Sequence, residues 1–203
     1  MTMPTPRHAS SLTDSMATSR ILLRPVNDGD LPLLYHLSTD PASGYRWRFS
    51  GVVPPFEHFR NQLWEGVLVQ FVAVHRPTQE AIGWVVALNP DQHSGHAGVG
   101  VTMLPEHRHN GTGLEATALL IDYCFRVWRF RKIYLESVEF SFATFAHLGT
   151  SAFEVEGVLR DHHYYDGTYW HQYIIAIYRE AWTEFGRPLL RRLGDAEKAE
   201  VGS

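Results

Sequence analysis

The chain has little cysteine: one residue, Cys124, in 203, which excludes an intrachain disulfide and suits a reducing, cytoplasmic setting. Positive charge is also short. Against 22 Asp and Glu there are 18 Lys and Arg, a net charge of −4, so the chain lacks the electrostatic footprint for phosphate backbones or anionic lipid. Neither a nucleic-acid nor a membrane partner is expected. No apolar run approaches the roughly 20 residues of a spanning helix, and no signal-like segment opens the sequence. Internal repeats and interior linkers are missing too.

What is present is a core. With 44% hydrophobic and 13% aromatic residues the chain can bury one substantial domain. Residues 1–19, rich in Ser, Thr, Pro and Met, read as a disordered leader, 20–193 as the folded domain and 194–203 as a disordered tail. Within the domain, Ile21 to Leu23 is a short strand stopped by Pro25, and Leu31, Leu34, Tyr35 and Leu37 fall at helical spacing, with Asp28 and Asp30 as helix-start residues. Phe56, Phe59, Leu63 and Val67 mark a second helix after Pro54 and Pro55. The period then drops to two: Val67 to His75 and Ala81 to Leu88 predict a hairpin, followed by an extended run from His96 to Leu104. Leu114, Ala118, Ile121, Phe125 and Trp128 form the apolar stripe of a long helix, with Cys124 on its buried side. A strand over Lys132 to Val138 and a short helix over Phe142 to Thr150 come next. Runs from Phe153 to Tyr165 and Tyr169 to Tyr178 are joined by Asp166-Gly167, a strong hairpin signal, and a short helix is predicted over Glu180 to Leu193. This order predicts a mixed α/β (α+β) domain: a mostly antiparallel twisted sheet of about seven strands, flanked by helices, with one strand-helix-strand crossover.

The chemistry concentrates after Leu104, in Arg108-His109-Asn110-Gly111-Thr112-Gly113 and the helix that follows. Two glycines allow a tight turn that gathers main-chain N–H groups at a helix N-terminus, where a diphosphate can be held almost wholly by backbone, with Arg108 as a charge at the rim. The same fragment is also what an ordinary helix cap looks like. It is not a dinucleotide fingerprint, because Ala116 stands at the last glycine position. Nor is it a P-loop, because no Lys-Ser or Lys-Thr follows.

The remaining pattern, R-x-x-G-x-G, resembles the cofactor motif of the GNAT superfamily of acyl-CoA-dependent N-acyltransferases. Leu22-Leu23-Arg24-Pro25, Ile82-Gly83 and Phe153-Glu154-Val155-Glu156-Gly157-Val158-Leu159-Arg160 extend the resemblance. The last segment, with Tyr165 to Trp170, is similar to the ribosomal-protein N-acetyltransferase-like branch. The resemblance implies a GNAT fold and direct transfer of an acyl group, acetyl above all, from acetyl-CoA or another acyl-CoA. The acceptor is an amine, of a small molecule or a peptide N-terminus. It also implies that the main chain of Val101, Thr102 and Met103 holds the pantetheine arm. Arg108, His109, Asn110, Gly111, Thr112 and Gly113 then cradle the diphosphate, with Ser141, aligned with the family's Asn, as a further cofactor contact.

The sequence departs from the pattern where catalysis is concerned. Relatives often carry a carboxylate where this chain has Gly98, and a Tyr near Leu148. Substitutes are His96 on the same strand and, on the final hairpin, the cluster His162, His163, Tyr164, Tyr165, Tyr169 and His171, with His171, His96 and Tyr164 as catalytic candidates. The same departures leave open a non-catalytic acyl-CoA-binding module. The pairs His107/His109 and His93/His96 lack a cysteine or carboxylate framework, so no metal is expected. Tyr45, Trp47 and Phe49, interleaved with Arg46 and Arg48, read as a loop over the acceptor pocket, Glu154 and Glu156 as solvated strand charges, and a homodimer is left open.

Overall fold

Seven runs of alternating side chains pair into one sheet. The computed structural model describes residues 16–41, 49–108, 110–146, 152–190 and 192, with backbone alone at 143–146. The strands are β1 (Ile21–Pro25), β2 (Val67–His75), β3 (Glu80–Asp91), β4 (His96–Met103), β5 (Lys132–Val138), β6 (Glu154–Tyr165) and β7 (Thr168–Tyr178), in the order β1-β2-β3-β4-β5-β7-β6. Neighbours are antiparallel except β4 and β5. These run parallel because helix α3 (Thr112–Val127) carries the chain back across the sheet between them.

The apolar stripe of α3 sets the larger core: Ala118, Ile121 and Phe125 pack with Ala97, Val99 and Leu135. On the opposite face α1 (Leu31–Thr39) and α2 (Phe56–Gln62) bury Leu34, Leu37 and Phe59 against Val72, Val74 and Trp84, the Tyr35 and Phe59 rings meeting edge-on at 5.4 Å. Because Ala97 and Val99 face α3, strand alternation turns His96, Gly98 and Gly100 to the α1–α2 face, beside Tyr134 and Glu136 of β5. The Asp166-Gly167 turn has φ of 50° and 76°, the left-handed pair a two-residue hairpin needs.

Several boundaries differ from expectation for physical reasons. Residues 16–19, assigned to the leader, pack onto the sheet: Met16 is buried and the Thr18 hydroxyl meets Glu115; the rest of the leader and the 194–203 tail lie outside the described residues. Asp30 does more than start a helix. It is buried and takes Arg24 Nη1 and Nη2 at 2.7 Å each, and these bonds hold its carboxyl below the usual range. Helix α4 (Glu139–Ala146) begins directly after β5, three residues before the predicted start, while 147–150, with Leu148, lie outside the described residues. The last helix opens at α5 (Arg179–Ala181) and widens into a π-type turn, Trp182–Gly186; Arg179 donates to the carbonyls of Phe125, Trp128 and Phe130 at 2.6 Å, closing the end of α3. Cys124 is buried as expected, and desolvation pushes its thiol up to about 12.

Candidate functional site

Strands β4 and β5 pair only from His96↔Lys132 to Val99↔Leu135. Beyond that they part, while β4 stays bonded to β3 up to Gly83↔Met103 and β5 to β7 up to Val138↔Gln172. Within this gap the backbone of β4 has a readable direction. The N–H of Leu104 donates to Ile82 on the β3 side, so by alternation Thr102 also faces β3, and Val101 and Met103 turn their main-chain groups into the gap. An extended, amide-bearing arm can pair there as a partial strand.

At the head of the gap stands the first turn of α3. Gly111 holds φ at 85°, a conformation that strains other residues, and so turns the chain into the helix. Gly113 allows close approach: a Cβ there would sit 3.2 Å from Met103 Cγ. Asn110 Oδ1 accepts the Thr112 N–H at 3.1 Å, and the Thr112 hydroxyl sits between His107 O and Asn110 Oδ1 at 2.9 and 2.7 Å. Among the described residues the N–H groups of Gly113 and Leu114 find no acceptor, and they carry the positive end of a 16-residue helix. Two orphan donors and a side-chain-free approach fit a diphosphate.

The acetyltransferase (GNAT) domain family matches residues 20–140, more than half the chain. The chain belongs to the GNAT acetyltransferase family. As a member, this acetyltransferase uses acetyl-CoA to acetylate an amine. Among solved structures, the spermidine N-acetyltransferase of Vibrio cholerae crystallised with CoA and spermine matches at 20% identity and a TM-score of 0.70, over 81% of this chain and 99% of that one. The spermidine/spermine N-acetyltransferase SpeG of the same organism, in complex with manganese ions, matches at 19% identity and 0.68, over 82% and 96%. At that identity the likeness shows the GNAT fold. No curated protein matches the chain.

The structure separates the residues singled out from the sequence. Arg108 stands beside the turn, but its Nε donates to Met103 O at 3.0 Å and its Nη2 to Asp40 Oδ2 at 2.8 Å. His109 and residues 42–48, with Tyr45, Arg46, Trp47 and Arg48, lie outside the described residues; Phe49 packs against Phe59 at 6.2 Å. Ser141 is half-buried in α4. His96 lies at the closed end of the β4–β5 pairing, edge-on to Tyr134 at 5.4 Å and five residues before Val101, roughly 16 Å of strand. His171 faces away from the neighbouring Gln172, and its Nδ1 accepts the Asp161 N–H at 3.1 Å. Tyr164 is exposed at the hairpin tip against Tyr169.

Sequence reasoning missed Glu136 and Gln172. Glu136 is the first β5 residue past the last β4–β5 pair, on the α1–α2 face across the gap from Gly100. Its Oε2 accepts Gln172 Nε2 at 2.5 Å, while Oε1 of Gln172, a residue only 3% exposed, has no partner among the described residues. A buried acceptor without a donor is costly, and a ligand that brings an N–H would satisfy it. Trp170, next but one along β7 on the same side as Gln172, meets Phe140 edge-on at 5.1 Å. The signal available was a lone carboxylate at an outward position of a buried strand.

Glu156 is exposed, as a strand charge on the surface should be, but it is also paired. It accepts Lys132 Nζ at 2.8 and 2.9 Å and the hydroxyls of Tyr178 and Tyr134 at 2.5 and 2.7 Å, which draw its carboxyl down to about 2. The cluster ties β5, β6 and β7 together at the closed end. An apolar cavity lined by Leu114, Ala118, Leu135, Phe153, Ile175 and Trp182 lies on the α3 face and offers no titratable group.

Proposed function

We propose that this acetyltransferase acts on a small cationic amine held by Glu136 and Gln172, opposite the glycine floor of β4. The observation that carries the reading is the buried Oε1 of Gln172, which has no partner among the described residues, beside the Glu136 carboxylate at the mouth of the β4–β5 gap. Both groups accept hydrogen bonds, as an ammonium or amine requires. The Trp170 and Phe140 rings add π-faces that attract a cation or its alkyl chain. The net charge of −4 favours a cationic acceptor, and two enzymes of the same fold are named for spermidine or spermine.

In this reading the main chain of Val101 and the N–H of Met103 hold the pantetheine arm, and the N–H groups of Gly113 and Leu114, in the turn that Gly111 and Asn110 set, hold the diphosphate. Acetyl-CoA supplies an acyl carbon already activated as a thioester. Gln172 Oε1 orients the amine by accepting one N–H, and Glu136 takes the proton the nitrogen loses as the C–N bond forms and the C–S bond breaks. Glu136 thereby stands in for the carboxylate that Gly98 lacks, one strand over. Aligning a neutral amine by these two acceptors is the main contribution of the protein on the acceptor side.

The test is thiol release from acetyl-CoA over a panel of a polyamine, an aromatic monoamine and a peptide with a free N-terminus. The reading expects the polyamine or monoamine to turn over at least tenfold faster than the peptide. Preference for the peptide returns the enzyme to the ribosomal-protein N-acetyltransferase-like branch. Release of no thiol with any amine supports the CoA-binding module instead.

A further inference from the structure

Arg108 is spent on Met103 and Asp40, yet another guanidinium lies at the glycine turn. The Nη2 of Arg20 sits 3.6 Å from where a Cβ on Gly111 would stand, so only the absence of a side chain at 111 leaves it uncovered. Arg20 occupies this place because of Glu115. That carboxylate, in the opening turns of α3, has no exposure at all, and Arg20 Nε and Nη2 converge on its Oε2 at 2.9 and 2.5 Å while the Thr18 hydroxyl meets Oε1. The strand backbone fixes the other end: Arg76 N–H donates to Arg20 O at 2.8 Å, and the Ile21 N–H to Thr18 Oγ1 at 3.0 Å.

Two consequences follow from charge alone. A bare carboxylate beneath the turn would oppose a diphosphate at the N–H groups of Gly113 and Leu114, and Arg20 cancels it. A guanidinium also has more donors than one carboxylate oxygen uses. Its Nη1 has no partner among the described residues, and the side chain remains 23% exposed.

We infer that Arg20, held rigid by Glu115, is the cation that binds the CoA diphosphate, the role its motif position would have given Arg108. The inference rests on reading the first turn of α3 as the diphosphate cradle. Glu115 is a positioning residue: it fixes the guanidinium so that Nη2 stays beside the turn. Lysine cannot replace this arginine, since one ammonium cannot both satisfy Glu115 and reach the anion.

The experiment uses the full chain and calorimetric titration with CoA and with pantetheine, which lacks the diphosphate. Removing Arg20 alone strands a buried carboxylate, so the variant is the double Arg20→Met, Glu115→Gln, with thermal melting to confirm folding. Its CoA affinity should fall about tenfold or more while pantetheine affinity stays within twofold of wild type. Unchanged CoA affinity in the folded double variant overturns the role of Arg20. A second readout is made on the wild type, with a folded Arg20→Lys variant used for assignment alone. In nitrogen–proton correlation spectra of the wild type, the Arg20 Nε–H signal, assigned by its loss in Arg20→Lys, should shift with CoA and not with pantetheine. If the Gly113 and Leu114 amides shift with CoA but the Arg20 signal stays, the cradle stands and Arg20 is excluded. If wild type binds CoA and pantetheine equally, the cradle fails and Arg20 with it.

Discussion

Glu136→Gln removes a base while leaving nearly everything else in place. The Gln172 Nε2 that donates to Glu136 Oε2 at 2.5 Å can donate equally to an amide oxygen, so one charge-assisted bond becomes a neutral one. At an exposed position that change costs about 1 kcal/mol of stability, too little to unfold a domain. The chemical cost is larger. A positioned general base contributes on the order of 10²–10⁴ in rate, about 3 to 5 kcal/mol of barrier, and a neutral amide supplies none of it. Because Glu136 faces away from α3, the KM for acetyl-CoA should hardly move, and the whole deficit should fall on kcat. Steady-state thiol release at saturating amine, followed from pH 6 to 10, measures it. The deficit should narrow at high pH, where the amine is already neutral and solution bases accept its proton. A kcat within threefold of wild type at every pH would remove Glu136 from the mechanism.

Three further outcomes are expected. Gly113→Val places its first carbon 3.2 Å from Met103 Cγ and lifts α3 from β4, so CoA affinity should fall at least tenfold, about 1.4 kcal/mol by calorimetry, and an equal Kd would refute the close approach. His171→Ala, on a side chain turned toward Asp161, should leave kcat within threefold; a hundredfold loss would restore it as a catalytic residue. The Glu156 carboxyl, lowered from 4.5 to about 2 by Lys132, Tyr178 and Tyr134, stabilises the fold above pH 4.5 and loses that contribution as pH falls toward 2. Denaturant melts should therefore show Glu156→Gln less stable than wild type at pH 6 and the two converging near pH 2; a gap that persists there contradicts the ion-pair account.

The sheet was readable because its strands announce themselves locally. Lys132 to Val138 and Val67 to His75 match to the residue, the second of them set off by Gly66 and Pro77, and Asp166-Gly167 allows one kind of turn. Distance in sequence hid the rest. Nothing local links Arg20 to Glu115, 95 residues on, or Glu136 to Gln172, 36 residues on, and both pairs exist only because α3 and the β5–β7 pairing bring the strands together. Likewise nothing near Glu156 in sequence announces the Lys132 ammonium and the two tyrosines that meet this exposed carboxylate from β5 and β7. Histidines drew notice by type, yet the face each strand presents decides their use, and alternation turns His171 away from Gln172.

The central claim is that the N–H groups of Gly113 and Leu114, which have no acceptor among the described residues, receive the diphosphate of CoA. Nitrogen–proton correlation spectra recorded during a CoA titration test it on those two atoms. Both amides should move progressively and saturate at one equivalent, and pantetheine should leave them where they are. Saturable CoA binding that shifts other amides but neither of these two would contradict the account.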